Sequence, residues 1–183
     1  MIRARRERGA AAVEAAIVTP LVMALIFGIV ELGFFFKDYL AAASAARAGV
    51  RLASAEPRNS GFAQATADRV QYSGSALDYS TIQQLWVYKA NATNDYPLGY
   101  SSFTDCSVCV KFRWTGSAFT PISDNWPASS QVACVGAGGP PDRIGVYIKT
   151  THTAITGFVF NTMTIDSHSV MSLEPIPTTN GCS

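Results

Sequence analysis

Gly9-Ala10-Ala11-Ala12-Val13-Glu14 opens the decisive stretch of this chain, and an apolar run from Ala15 to Val30 succeeds it with no charge until Glu31. Each end of the run is closed by a carboxylate, and Arg3, Arg5, Arg6 and Arg8 stand in front of it. A bilayer core of roughly 30 Å takes about 20 helical residues. Ala15 to Phe36 would extend about 33 Å at 1.5 Å per residue, so the stretch is long enough to span. Acidic side chains at the edge of hydrocarbon are costly and are kept for a function. Phe34, Phe35, Phe36 and Tyr39 then fall at headgroup level, where aromatic rings are favoured. Four arginines precede the segment, while Lys37 and Asp38 cancel after it. The positive-inside rule therefore keeps the N-terminus cytoplasmic and exports the chain beyond Lys37.

A cleaved secretory signal is the competing reading, with small residues at Ala41-Ala42-Ala43. Its apolar region would be about 7–15 residues, shorter than this run, and the helical pattern continues past that site. A permanent single-pass anchor is the second competitor. Tyr39 to Ala55 holds no proline and sorts into two stripes of helical spacing: Tyr39, Ala43, Ala46, Val50 and Ala53, and Ser44, Arg47, Arg51 and Ser54. The 3.6-residue period makes it an amphipathic continuation of the anchor, which Pro57 ends and Pro20 is expected to kink. Small side chains on that stripe let other backbones approach closely. They suit a neighbouring helix or the chain's own sheet.

Beyond the helix, about 125 residues are ample for one core. Asn59 to Ser73 reads as a turn and a short helix with Phe62, Ala65, Arg69 and Tyr72 in step. Leu85–Tyr88, Val108–Trp114, Arg143–His152 and Thr162–Leu173 carry the period-two pattern of strands. Trp114 to Asp142, with Gly136-Ala137-Gly138-Gly139-Pro140-Pro141, reads as one long loop. The expected fold is α+β: a long N-terminal transmembrane and amphipathic helix packed on a small antiparallel sheet. The expected division is a basic leader at 1–9, a span at 10–36, an extended amphipathic helix at 37–56 and an exported head at 57–183.

The net charge of +1 gives no footprint for nucleic acid. Cys106, Cys109, Cys134 and Cys182 all lie in the exported part, where an even count favours two disulfides of open connectivity. A zinc site would need a second close pair that His152 and His168 do not supply, and no βαβ frame supports a redox role for Cys106-x-x-Cys109. Asp166, Ser167 and His168 are consecutive, so a strand turns Ser167 away from the other two, and a triad needs convergence. Both histidines read as polar-surface strand residues, and Asn91-Ala92-Thr93 matches a glycosylation acceptor that also arises by chance. No catalytic site, metal site or cofactor motif emerges.

The segments Arg8-Gly9-Ala10-Ala11-Ala12-Val13-Glu14, Ile17-Val18-Thr19-Pro20-Leu21 and Phe27-Gly28-Ile29-Val30-Glu31-Leu32-Gly33 together resemble the TadE-like pilus-assembly family, pseudopilins of the Flp/Tad branch of type IV pilus machinery. The likeness is strong over Arg8 to Ala55. In the head, Asp142–Tyr147 and Val170–Pro175 are similar to segments of actinobacterial members; Ala15 stands where members often carry an aromatic residue. The resemblance implies a minor pilin or pseudopilin, cut after Gly9 by a membrane prepilin peptidase so that Ala10 becomes the first residue and Glu14 the fifth. It also implies assembly roles for Glu14 and Glu31, and partners among other pilin subunits and the pilus assembly platform. Loss of Met1 to Gly9 would leave 10 basic against 12 acidic side chains, a nearly neutral chain suited to self-assembly. A membrane-anchored binding domain that joins no filament is the alternative.

Overall fold

The computed structural model describes residues 2–73, 77–134, 139–157 and 160–177, with side chains from residue 9 onward. One helix, α1 (Ile2–Ala55), runs 54 residues without interruption through Pro20, a length of about 81 Å. A second helix, α2 (Phe62–Ser73), lies beside its distal end. Five strands complete the head: β1 (Ile82–Ala90), β2 (Cys109–Trp114), β3 (Phe119–Asp124), β4 (Arg143–Thr153) and β5 (Thr162–Ser172). They form one antiparallel sheet in the order β3-β2-β1-β4-β5.

Alternation along the strands builds two layers of core. Leu85 and Val87 of β1, Val110 and Phe112 of β2, and Ile144, Val146 and Ile148 of β4 are buried toward the helices with Ala42, Ala45, Ala46, Val50 and Ala53 of α1. The intervening residues Trp86, Tyr88, Cys109 and Tyr147 point to the opposite face, as the period of two requires. There the 91–108 excursion lies over them: the Phe103 ring stacks on Tyr147 at 4.2 Å.

The buried stripe of α1 is offset from the one its sequence suggested. Ala42, Ala45 and Gly49 are buried as well as Ala46, Val50 and Ala53, while Tyr39 is exposed and Ser54 is buried. Gly49 is where α2 crosses, since a Cβ there would stand 2.7 Å from Val70 Cγ2 and 3.4 Å from Thr66 Cγ2. On α2 the inward residues are Phe62, Ala63, Thr66, Ala67 and Val70, and Tyr72 of the expected stripe is 79% exposed.

The expected long loop also needs correction, because it contains β3. Pro121 sits opposite Phe112 beside a register irregularity. Proline cannot donate to a ladder and is tolerated on an edge strand, which β3 is. After it Trp126 is fully buried with its ring 5.5 Å from that of Phe62. Residues 135–138 of the glycine-rich stretch lie outside the described residues.

Cys106 and Cys109 are joined, Cα to Cα 6.1 Å, and both are buried under the aromatic face of the sheet. Next to them the Lys111 ammonium hydrogen-bonds Asp105 at 2.6 Å and lies 5.0 Å over the Trp86 ring. That hydrogen bond, then the Cys106 N–H, holds the Asp105 carboxyl below the ordinary carboxylate range. Cys134 is also disulfide-bonded, and Cys182 lies outside the described residues. The Cys106–Cys109 loop is so short that the chain-entropy account gives it only about 2 kcal/mol. Replacing both by serine is therefore expected to lower the unfolding free energy by about that amount in a urea titration. A loss twice as large would show that packing of the sulfurs, not loop closure, dominates.

Candidate functional site

The N-terminal part of α1 carries the residues singled out for processing. Gly9 and Ala10 lie inside the helix and are exposed, and among the described residues nothing beyond the helix's own backbone approaches within 4 Å of the position a Gly9 Cβ would take. Glu14 is exposed in the same way, and no described residue pairs with it. From Val13 to Val30 the large apolar side chains are open as well, Ile17 at 71% and Leu21 at 73%. The segment that is apolar enough to cross a membrane has no part of its 18-residue core buried by the protein. A helix apolar all round and uncovered has its burial supplied by something other than its own head.

Glu31 is different. Its side chain is fully buried, and the turn between β4 and β5 closes over it. Oε1 accepts the Ile155 N–H at 2.7 Å, and Oε2 accepts the Thr156 N–H at 3.0 Å and the Thr156 hydroxyl at 2.8 Å. Asp38 stands seven residues on, two turns up the same helix face. Its Oδ2 accepts from His152 Nδ1 at 2.7 Å, and its Oδ1 lies 3.3 Å from Lys37 Nζ. His152 Nε2 lies 3.9 Å from Glu31 Oε1 and has no hydrogen-bond partner among the described residues. Between the carboxylates Phe35 packs edge-on to His152, ring centres 5.7 Å apart, and to Phe160 at 6.3 Å.

The site is thus a joint. One stripe of α1 (Glu31, Phe35, Asp38) is fastened to the far end of the β4–β5 hairpin by charge-assisted hydrogen bonds, the stronger kind. An unpaired carboxylate at this depth would carry a heavy desolvation penalty. Here every bond it needs comes from the hairpin.

His152, read from sequence as a polar-surface residue, is a buried member of the joint. The available signal was the Glu31-to-Asp38 spacing, which puts two acids on one face, together with a histidine at a strand end. His168 is exposed, with its ring 4.8 Å from Phe103. Asp166 accepts from the Tyr147 hydroxyl while Ser167 is buried on the other face, so the three consecutive polar residues do not converge. Burial and the Asp166 carboxylate together push the Tyr147 hydroxyl above its usual range. The Asn91 amide nitrogen donates to Asn94 Oδ1, Pro97 O and Tyr100 O, so it is committed to the fold rather than free for a glycan. A cleft of about 730 Å³, lined by Arg58, Phe62, Asp124 and Trp126 among others, opens between α2 and the 124–129 segment. Among the described residues no group of three or more His, Cys, Asp or Glu is placed to hold a metal ion.

The chain is thus an α+β protein in which one helix is long and apolar enough to cross a membrane and is jointed through Glu31 and Asp38 to a head with a five-stranded sheet. A family model described as TadE-like protein matches residues 9–51. Over that helix the chain is similar to the TadE-like pilus-assembly family, and its sheet lies beyond the matched residues. No curated protein and no solved structure matches the chain.

Proposed function

We propose that the chain is a minor pilin or pseudopilin of a Flp/Tad-type surface pilus, processed between Gly9 and Ala10. Supporting this reading is the contrast between the two carboxylates that bound the apolar run. Glu31 is satisfied within the chain, whereas Glu14 is exposed on an N-terminal stretch of α1 that no described residue covers. Its partner must come from elsewhere. Cleavage after Gly9 would create an ammonium at Ala10, about 6 Å along the axis from Glu14. In a packed bundle the ammonium of one copy meets the carboxylate of the next, where an unpaired charge costs about 2.5–3.5 kcal/mol. The pairing sets the register between subunits, and Glu31 contributes by fixing each head on its stalk.

In this reading residues 1–9 are a cytoplasmic leader, 10–36 the span, 37–56 the extended stalk and 57–183 the exported head. A prepilin peptidase removes the leader. The other partners are fellow pilin subunits and the assembly platform. No enzyme activity is assigned. The scissile bond lies in helix, so the peptidase must unwind it locally, and Gly9 lowers that cost by about 1 kcal/mol relative to alanine.

Glu14→Ala is expected to leave cleavage intact and to reduce incorporation into pili by tenfold or more, read by N-terminal sequencing and by immunoblot of sheared surface fractions. A chain that keeps Met1 and never enters that fraction is instead a membrane-anchored binding domain.

A further inference from the structure

We propose that the tip of the β4–β5 hairpin is a second membrane contact, placing Ile155 and Phe160 in the interfacial layer of the leaflet nearest the head. The inference rests on the reading of residues 10–36 as a membrane span and adds a lipid-binding surface on the head itself.

Depth is the first argument. Between Arg8 and Lys37 the chain has no basic side chain. A hydrocarbon core of roughly 20 residues centred in that interval runs from about Val13 to Leu32, and so reaches Glu31. The Ile155 amide is bonded directly to the Glu31 carboxylate, so the turn lies at that level. Lys37, half exposed, is about 9 Å further from the membrane centre. The tip is therefore nearer the bilayer than the first cation that water must reach.

Composition is the second argument. Residues 154–161 contain no charged side chain. Ile155 is 64% exposed although its amide is fastened down, so its side chain projects from a fixed backbone. Phe160 and Phe36 flank Phe35 with ring centres 6.3 and 5.8 Å away, and Phe36 is 56% exposed. Aromatic and aliphatic groups beside a spanning helix are what the interfacial layer accepts. Three polar groups of the turn do not oppose this, because the Ile155 and Thr156 N–H groups and the Thr156 hydroxyl are already bonded to Glu31.

The full-length chain in phosphatidylcholine–phosphatidylglycerol nanodiscs tests it, with an environment-sensitive fluorophore at Ile17→Cys, Ile155→Cys or Tyr72→Cys and nitroxide-bearing lipids as quencher. Lipid quenching at position 155 is expected to exceed that at position 72 by threefold or more, with aqueous iodide showing the reverse order. Equal iodide access at 155 and 72 overturns the proposal. Shielding of 155 from both quenchers overturns it too, since the cover would then be another protein copy. Loss of lipid quenching at position 17 would instead refute the span. Paramagnetic broadening of the native Ile155 methyl by the same lipids gives the answer without any substitution, and an unbroadened methyl overturns the proposal.

Discussion

Gly145→Ala is expected to lower the stability of the head by at least about 3 kcal/mol, the upper part of the range for overpacking a core. Gly145 pairs with Tyr88 across β4 and β1. A Cβ at Gly145 would stand 2.2 Å from Tyr88 Cζ and 2.6 Å from its hydroxyl. The ring has no room to retreat: Tyr88 is fully buried, its hydroxyl donates to the Asp95 carbonyl at 2.6 Å, and Phe103 packs edge-on at 5.7 Å. Burial and the Asp95 charge push that hydroxyl well above its usual range, so it stays a neutral donor and the clash has no electrostatic relief. In a domain of this size the loss corresponds to a fall in Tm of about 10 °C or more. Thermal unfolding of the head, followed by near-ultraviolet dichroism of the buried rings, checks it. Adding Tyr88→Ala should make the double substitution cheaper than the two single losses combined, because the two positions share one space. Strict additivity would refute the steric account.

The second large effect falls on the joint. Glu31→Ala removes the acceptor of three hydrogen bonds, and bonds to a charged group contribute about 1.5–3 kcal/mol each. Part of the loss is recovered when water reaches the freed N–H groups, so about 2.7 kcal/mol is a reasonable net figure, which corresponds to a hundredfold change in local opening. Amide hydrogen exchange at Ile155 and Thr156 is thus expected to quicken about a hundredfold. Amides of Val87 and Ile148, deep in β1 and β4, should be unchanged. Glu31→Gln should be nearly as harmful, since its NH2 would confront N–H donors at one of the two oxygen positions. Unchanged exchange at Ile155 and Thr156 in both variants would mean that the carboxylate does not hold the turn.

Most elements were legible in the sequence because each is specified locally. Strands β1, β2, β4 and β5 and helix α2 show their own periods, and Pro57 ends α1 where it should. β3 was hidden because Pro121 argues against a strand unless the strand is known to be an edge, which is a property of the sheet and not of residues 119–124. The buried stripe of α1 was misplaced because alanine occupies nearly every position from 41 to 48. A small side chain suits either face, so only the arrival of α2 over Gly49 and of the sheet over Ala42 and Ala45 settles which one is inside.

What the sequence determined by itself is a helix long and apolar enough to cross a membrane, with its two bounding carboxylates, since hydrophobic length and charge placement act without reference to any partner. The tertiary structure alone decided what holds Glu31. The donors that satisfy Glu31 are chiefly backbone N–H groups of a turn about 125 residues away, and every residue but proline carries such a group, so no side-chain pattern could announce them. Asp38 and His152 are likewise joined only when the β4–β5 hairpin folds back along α1 and brings its far end down to the level of Glu31.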